Sequence, residues 1–377
     1  MKVGVPRERA EGEHRVALVP ESVKKLVASG VAVVVEQGAG EGSFASDDQY
    51  REAGATIADA DAALGADIVL KVAKPTLEEI AKLPPGAMLI TTLQPLTNHD
   101  LVRALAERKA TSLSMDAIPR VTRAQPMDSL SSQSNIAGYK AVLNAAAALP
   151  RFFPMLTTAA GTVTPARVFV IGAGVAGLQA IATARRLGAV VEAFDTRPVV
   201  KEQVQSLGAK FIEIDLGQSG EGSGGYAREL TPEEQQKQRE LMAERVAAAD
   251  VVITTALVPG RRAPVLITAD AVRSMRPGSV VIDLAAEMGG NCELTKPGEV
   301  NVVNGVRIDG TLNLASSVAA HASQLYSRNV SALLGLVLKD GKIDLDMNDE
   351  ITKGTVITHD GDVVHAPTTS AMGGPKA

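Results

Sequence analysis

The 377-residue sequence has few cysteine and aromatic residues: one cysteine, Cys292, no tryptophan, and 3% aromatic residues in total. One cysteine cannot form an intramolecular disulfide or a thiolate metal cluster, and this favours a reducing, cytoplasmic setting. The five histidines lack the spacing of metal ligands, so we expect no bound metal. The shortage of aromatic residues also argues against a ligand site built from aromatic platforms.

The sequence also lacks a basic block and a long apolar run. Its net charge is −5, with 21% charged residues, which does not match the electrostatic footprint of a nucleic-acid-binding protein. The apolar runs are shorter than the ~20 residues of a membrane-spanning helix. A strand is predicted from residue 3, so we expect no signal peptide. The composition therefore predicts a soluble protein that could still dock on a membrane-bound partner.

A glycine-rich pattern dominates residues 167–197, which read RVFVIGAGVAGLQAIATARRLGAVVEAFDTR. Gly172, Gly174 and Gly177 follow a short apolar run at G-x-G-x-x-G spacing. The pattern then predicts a helix at 178–187 and a second strand at 190–194. In this motif the first glycine permits a tight turn, the second lets the backbone approach a pyrophosphate, and the third allows close helix packing. A strand, turn, helix and strand in this order predict a dinucleotide site rather than an ordinary glycine-rich turn.

An acid closes the second predicted strand, as nicotinamide dinucleotide sites require. Asp195 would accept hydrogen bonds from a ribose diol and would repel a 2′-phosphate, so the sequence favours NAD over NADP. Arg197, two residues later, weakens that preference slightly. Backbone amides at the start of the helix would hold the phosphates. The candidate contacts on this unit are therefore the three glycines together with Ala173, Val175, Asp195, Thr196 and Arg197.

Alternating apolar runs and amphipathic segments fill the first 115 residues and resume around the glycine pattern. This alternation is typical of parallel, doubly wound sheets. Residues 355–365 predict a hairpin with Asp360 and Gly361 as its turn. That tail has no core of its own, so we expect it to pack on the first domain. The predicted fold is α/β, with two doubly wound, Rossmann-like domains and an inter-domain cleft: residues 1–133 with 320–377, and residues 134–319, which would bind NAD(H).

Three further segments are candidates for function. Residues 119–135, PRVTRAQPMDSLSSQSN, show no helical or strand period, and composition alone favours a plain surface connection there. Residues 217–231 form a glycine-rich loop around Tyr226, which would be either a flexible linker or a lid over the nucleotide. Two predicted strand ends continue as TTALVPGRRAP and DLAAEMGGN, where an open parallel sheet places its ligand crevice. Ala256 and Leu257 of the first of these are further candidate nucleotide contacts.

Over almost its whole length the sequence resembles the alanine dehydrogenase and pyridine nucleotide transhydrogenase family. KVGVPRERAEGEHRVALVP, PRVTRAQPMDSLSSQSNIAGYKA and RVFVIGAGVAGLQAIATARRLGA carry the resemblance, and the middle motif is specific to transhydrogenases. The resemblance implies that Arg120, Gln125, Asp128 and Ser131 hold the nicotinamide end of NAD(H). It also implies that Tyr226 belongs to a mobile loop that closes over the nucleotide. For residues 119–135 it replaces the interpretation as a plain surface connection.

Alanine dehydrogenase is the alternative within the same family. The resemblance would place a substrate-carboxylate arginine at Arg15 and a catalytic lysine at Lys71, and both are present. Amino-acid oxidation needs a general acid or base, however, and the family's histidine is replaced here by Gln94, which cannot exchange protons. The catalytic aspartate of the glycine-rich loop is matched by Glu287. We therefore expect Arg15 and Lys71 to be structural or vestigial.

The resemblance thus implies the NAD(H)-binding subunit of a proton-translocating NAD(P)⁺ transhydrogenase, which needs no such base for hydride transfer. Its expected cofactors are NAD(H) and, on a partner subunit, NADP(H). Its expected partners are NADP(H)-binding and membrane-spanning subunits and a second copy of itself. The chain would be cytoplasmic and peripheral at the inner face of the membrane. The alternatives are an NAD-dependent alanine dehydrogenase and an NAD-sensing module without activity.

Overall fold

The computed structural model describes residues 1–213, 231–258, 260–339 and 341–373. These residues form two compact units. Unit 1 comprises Met1–Gln133 and Ala315–Ala377, and unit 2 comprises Ser134–Leu314. Each unit contains its own sheet, and each is described by itself.

Unit 1 begins with alternating strands and helices. The strands are β1 (Lys2–Val5), β2 (Ala32–Glu36), β3 (Thr56–Ala58), β4 (Ile68–Leu70), β5 (Met88–Thr91) and β6 (Thr111–Ser114). The helices are α1 (Pro20–Ala28), α2 (Asp47–Glu52), α3 (Ala60–Leu64), α4 (Leu77–Lys82) and α5 (His99–Glu107). A 3₁₀ turn at Thr122–Met127 precedes α6 (Ser129–Ala148), which begins in unit 1 and continues into unit 2.

Unit 2 repeats the alternation. Its strands are β7 (Leu156–Thr158), β8 (Gly161–Val163), β9 (Arg167–Ile171), β10 (Val190–Phe194), β11 (Lys210–Phe211), β12 (Val251–Thr254), β13 (Val280–Asp283), β14 (Val300–Val303) and β15 (Val306–Asp309). Its helices are α7 (Val175–Arg186), α8 (Lys201–Ser206), α9 (Pro232–Ala248) and α10 (Ala269–Arg273). The chain then returns to unit 1 through α11 (Ala319–Val337), β16 (Leu338–Lys339), β17 (Lys342–Ile343), α12 (Glu350–Thr355), β18 (Val356–His359), β19 (Asp362–Val363) and α13 (Ala366–Ala371).

The two main sheets share one strand order. In unit 1 it is β3-β2-β1-β4-β5-β6, all parallel, followed by β18 and β19, which are antiparallel additions. In unit 2 it is β11-β10-β9-β12-β13-β15, all parallel, with antiparallel β14 at the edge. Both follow the doubly wound order in which the sheet reverses direction beside its first strand. The predicted α/β fold class is confirmed in each unit.

Strands buried on both faces explain why the sequence shows continuous apolar runs instead of alternation. Val168, Phe169, Val170 and Ile171 of β9 are each at most 2% exposed. Their side chains divide between two apolar clusters of unit 2, one on each face of the sheet. In unit 1 the equivalent core includes Tyr326 and the other apolar residues of α11.

Residues 119–135 are the main correction to the sequence-based prediction. The prediction of no regular structure there was wrong, because a 3₁₀ turn occupies Thr122–Met127 and α6 begins at Ser129. Serine disfavours a helix interior locally, since its hydroxyl competes for backbone hydrogen bonds. Here tertiary partners take those hydroxyls: Ser129 donates to the Met115 carbonyl, and Ser132 donates to Asn329 Oδ1.

The predicted C-terminal hairpin is confirmed. β18 pairs antiparallel with β19, and Asp360 and Gly361 have φ of 50° and 92° in the turn between them. Two successive positive φ values are the geometry of a type I′ turn, for which Asp-Gly is favoured. β18 also pairs with β6, so this part of the tail extends the sheet of unit 1.

Candidate dinucleotide-binding site

Four strand ends lie level with one another in unit 2. In the parallel register Ile171 pairs with Phe194 and Thr254, and Thr254 pairs with Asp283. The segments that follow β9, β10, β12 and β13 therefore leave the sheet at one edge. In doubly wound sheets the crevice at this edge, beside the first strand, is where ligands bind.

Gly172 and Gly177 are required by close packing around the turn after β9. Gly172 has φ of +96°, and a Cβ there would lie 2.5 Å from Thr255 Oγ1. A Cβ on Gly177 would lie 1.9 Å from the carbonyl oxygen of Gly172, so no side chain fits where α7 crosses the turn. The Thr255 hydroxyl donates to that same carbonyl at 3.1 Å, which ties the turn to the end of β12.

Gly174 has a different environment. It precedes α7 with extended backbone, and no side chain caps the helix there. Among the described residues, the one heavy atom within 4 Å of a Cβ on Gly174 is Arg197 Nη2, at 4.0 Å. The following Val175 is 41% exposed. The first amides of α7 thus meet open space, which suits the approach of a pyrophosphate to the positive end of a helix.

Asp195 lies directly beside this turn. Its Oδ2 accepts the N–H of Ala173 at 2.7 Å, and its Oδ1 accepts the N–H of Arg197 at 2.9 Å. The Arg197 guanidinium donates to both oxygens, from Nε to Oδ1 at 2.9 Å and from Nη2 to Oδ2 at 2.8 Å. The structure therefore brings Ala173, Asp195 and Arg197 together, with half-buried Thr196 between the last two. Tyr226 and most of its loop lie outside the described residues.

Asn291 holds the loop after β12 and was not predicted as a site residue. It is fully buried; its Oδ1 accepts the N–H of Ala256, and its Nδ2 donates to the carbonyls of Ala256 and Pro264. Ala256 and the 44% exposed Leu257 are thereby fixed next to Thr255 and the glycine turn. The sequence contained a signal, since Asn291 ends the strand sequel DLAAEMGGN.

Asp283 fixes that sequel in turn. This buried carboxylate at the end of β13 accepts from Thr254 Oγ1, the Ala285 and Cys292 amides and Thr295 Oγ1. Four hydrogen bonds fill the acceptor capacity of a carboxylate. Asp283 is therefore a structural acid that orders the loop carrying Asn291.

The predicted nicotinamide-binding residues lie in unit 1. Asp128 caps the start of α6: its Oδ1 accepts the Ser131 N–H at 2.9 Å and its Oδ2 accepts the Ser131 hydroxyl at 2.6 Å. The structure thus brings Asp128 and Ser131 together. Arg120 and Gln125 are exposed on the preceding segment. No hydrogen bond of the Gln125 side chain occurs among the described residues.

Buried contacts hold this segment against unit 1. Ala124 and Met127 are at most 8% exposed and belong to the core cluster that includes Tyr326. Asn329 of α11 donates to the Pro126 carbonyl at 2.8 Å. Apolar residues and one amide therefore anchor the segment, while its polar side chains Arg120 and Gln125 remain at the surface.

The same edge of the unit 1 sheet contains a buried ion cluster. Lys71 follows β4, is 1% exposed, and has its Nζ 3.1 Å from Glu8 Oε2 and 3.0 Å from Glu79 Oε1. Burial by itself lowers the pKa of Lys71, but the two carboxylates outweigh it, so its pKa is raised and the ammonium stays charged. Tyr326 Oη donates to the Lys71 carbonyl at 2.7 Å.

The other residues expected from alanine dehydrogenase are also engaged. Arg15 is paired with both oxygens of Glu13, at 2.7 and 2.6 Å, and donates to Gln133 Oε1. Gln94 is exposed at the end of β5 in a left-handed conformation with φ of 49°. Glu287 is exposed and accepts the N–H of Asn313 at 2.9 Å.

Two classes of site are not found in the stretches of the chain that the structure describes. No group of three or more His, Cys, Asp or Glu side chains there could hold a metal ion. None of the helices in those ranges has the length and apolar character that crossing a membrane requires.

Comparisons with known proteins agree with these features. The models described as Alanine dehydrogenase/PNT, N-terminal domain and C-terminal domain match residues 4–137 and 141–366. An NAD(P) transhydrogenase subunit alpha protein of Rhodospirillum rubrum is 52% identical over 376 residues, covering 97% of this chain and 98% of that protein. The crystal structure of transhydrogenase from Sinorhizobium meliloti is 48% identical with a TM-score of 0.85, covering 97% of this chain and 99% of that one.

An alanine dehydrogenase from Halomonas elongata is 32% identical over 384 residues, covering 99% of this chain and 97% of that protein. The resemblance seen in the sequence is confirmed by both domain models and by relatives that match end to end. The chain belongs to the alanine dehydrogenase and pyridine nucleotide transhydrogenase family.

Proposed function

We propose that this protein is the NAD(H)-binding subunit of a proton-translocating NAD(P)⁺ transhydrogenase. In this role it transfers hydride directly between NADH and NADP⁺ held by a partner subunit, and separate membrane subunits couple the exchange to proton translocation. The names of the Rhodospirillum rubrum and Sinorhizobium meliloti proteins support the transhydrogenase assignment. The glycine turn, the open start of α7 and Asp195 support dinucleotide binding in unit 2.

The pairing of Lys71 and Arg15 is the observation that favours a transhydrogenase over an amino-acid dehydrogenase. Oxidising an amino acid requires cations that receive the substrate and a base that removes a proton. Here Lys71 is held by Glu8 and Glu79, and Arg15 is held by Glu13. Gln94 supplies no base, so the arrangement fits a reaction that moves no heteroatom proton.

Hydride exchange between two nicotinamides makes different demands. The donor and acceptor carbons must be held about 3–3.5 Å apart, aligned and shielded from water. We assign the nicotinamide end of NAD(H) to the surface formed by Arg120, Gln125, Asp128 and Ser131. Gln125 is an exposed hydrogen-bonding side chain, whereas Asp128 and Ser131 also cap α6.

A mixing experiment tests the proposal. The purified protein is combined with an NADP(H)-binding transhydrogenase domain, and hydride exchange is followed by absorbance with thio-NADP⁺ as acceptor. We expect exchange that depends on both proteins, and no alanine-dependent reduction of NAD⁺ by this protein alone. Robust alanine oxidation without a partner would establish the alanine dehydrogenase alternative, which the Halomonas elongata relative represents. NADH binding without exchange would leave a sensing module.

A variant separates positioning from binding. Gln125→Ala should slow exchange at least about tenfold while changing the NADH dissociation constant less than about threefold, because it removes an orienting contact. Asp128→Ala is a poorer probe, since it also removes a helix cap. Equal losses in rate and affinity for Gln125→Ala would assign this surface to binding alone.

We also propose that the subunit is a homodimer that joins its partners at the inner face of the membrane. The hairpin β7–β8 is exposed along both strands and has no third strand beside it among the described residues. Phe152 and Met155 next to it are 53% and 64% exposed. Met155→Glu should shift the mass measured by light scattering toward the monomer, whereas Val302→Glu, equally exposed elsewhere on unit 2, should not.

A further inference from the structure

Four donors surround the Asp195 carboxylate. Its Oδ1 accepts from the backbone N–H and the Nε of Arg197, and its Oδ2 accepts from the Ala173 N–H and Arg197 Nη2. A carboxylate offers about four acceptor positions, so all of them are used. The Asp195 side chain is 6% exposed and that of Arg197 is 17% exposed. A ribose diol can therefore bind Asp195 only by replacing donors that this structure shows in place.

The four donors differ in how readily they can leave. The amides of Ala173 and Arg197 belong to backbone that is fixed by the pairing of β9 with β10 and by the bond from the Gly172 N–H to the Phe194 carbonyl, at 2.8 Å. The two guanidinium donors sit at the end of a long, rotatable side chain that is partly exposed. The guanidinium is therefore the group that yields.

We propose that Arg197 is a specificity-determining residue that competes with ribose for Asp195 and is compensated by the pyrophosphate. The proposal rests on the dinucleotide site described above. When a dinucleotide binds, its ribose hydroxyls take the two positions that the guanidinium held. The displaced guanidinium then pairs with a phosphate, so ligands that have phosphates recover what the displacement costs and bare nucleosides do not.

The position of Arg197 supports this exchange. Its Nη2 lies 4.0 Å from the place that a Gly174 side chain would occupy, directly beside the turn where phosphates would approach the start of α7. A rotation of the side chain moves the guanidinium from a carboxylate to a phosphate without crossing the site. Guanidinium groups form charge-assisted, often bidentate hydrogen bonds with both partners, so the two pairings are of comparable strength.

Two ligands that differ in phosphate content test the idea on the full chain. Dissociation constants for adenosine and ADP-ribose are measured by calorimetry with the wild type and Arg197→Met, which keeps length but removes every donor. We expect adenosine to bind the variant about threefold or more tightly and ADP-ribose to bind it about tenfold more weakly, since a competitor and a phosphate partner are lost together. Arg197→Lys should change both constants less, because an ammonium cannot bridge two carboxylate oxygens.

Arg245→Met is the matched control, since Arg245 pairs with Glu192 at 3.6 Å on α9 and should leave both constants unchanged. Unchanged or weaker adenosine binding to Arg197→Met would overturn the proposal, because no competitor would have been removed. Equal weakening of both ligands would do the same and would assign Arg197 to orienting Asp195. Failure of the wild type to bind ADP-ribose or NADH would instead overturn the dinucleotide site itself. If Arg197→Met does not fold, the Arg197→Lys pair of constants decides, with the same signs expected.

Discussion

The two sheets have the same strand order but differ at the edge where ligands bind in such folds. In unit 2 the chain leaves β9 through glycines and exposes the first amides of α7. In unit 1 it leaves β1 toward Glu8, whose carboxylate contacts Lys71 Nζ and accepts the Val72 N–H. One crevice contains bare backbone, and the other is filled by charged side chains of the protein.

This difference shows that a doubly wound sheet provides a location for a site but does not create one. A phosphate needs free amides and room for close approach, which Gly174 gives. The buried cluster of Lys71, Glu8 and Glu79 consumes the charges that could have received a ligand. Unit 1 is therefore held together by electrostatics at the same place where unit 2 is open for binding.

The largest expected effect is on the stability of unit 1. Lys71→Met leaves Glu8 and Glu79 buried without their cation, and this should lower the free energy of unfolding by about 3–5 kcal/mol. Urea denaturation followed by circular dichroism measures the loss. Lys82→Met, which breaks an exposed pair with Asp61, should leave the midpoint unchanged. If the two variants unfold alike, the cluster is not what stabilises this edge.

The glycine turn of unit 2 should respond in binding. Gly177→Ala places a methyl group 1.9 Å from the Gly172 carbonyl, so α7 must shift away from the turn. We expect NADH affinity to fall at least about tenfold, and stability to fall by about 1–3 kcal/mol. Fluorescence titration measures the first and denaturation the second. A Cβ on Gly335 of α11 meets no atom within 4 Å, so Gly335→Ala should keep wild-type affinity.

The loop after β12 should show a smaller effect. Asn291→Leu removes three hydrogen bonds and leaves the buried amide and carbonyl of Ala256 without partners, at a cost of about 2 kcal/mol. NADH affinity should fall severalfold in the same titration, because the loop loosens next to the glycine turn. Asn135→Leu, which removes an exposed bond to Gln179, is the control. Unchanged NADH affinity for Asn291→Leu would show that the loop does not shape the site.

The smallest effect concerns pH and unit 1. Burial lowers the pKa of His365 below its ordinary value, and the charge of Asp116 opposes this only in part. A lowered pKa means that folding favours the neutral ring, so its contribution is present above pH 6.5 and is lost as the pH falls through the folded-state pKa. Because the ring is only partly buried, we expect less than about 1 kcal/mol. His365→Gln should flatten the stability curve between about pH 7 and 5; an identical curve would remove His365 as its cause.

Much of unit 2 could be predicted from local sequence. The fingerprint from Gly172 to Asp195 is a contiguous pattern in which each residue type has a steric or electrostatic reason, and the structure places the glycines where such packing demands them. The hairpin turn at Asp360 and Gly361 was predictable for the same reason, because φ preferences belong to the residues themselves. The beginning of α6 was not, since partners distant in sequence decide where its serine hydroxyls bind.

The sequence by itself determined two doubly wound sheets, a dinucleotide fingerprint in the second and membership of a family, because periodicity, glycine spacing and strand-end acids are local properties. Tertiary structure decided which charged groups are available. Glu8 meets Lys71 across 63 positions, Asn291 reaches Ala256 across 35, and Arg197 folds back onto Asp195 when the turn around Ala173 closes. Pairings of this kind depend on which strands become neighbours, and only the folded chain brings those residues together.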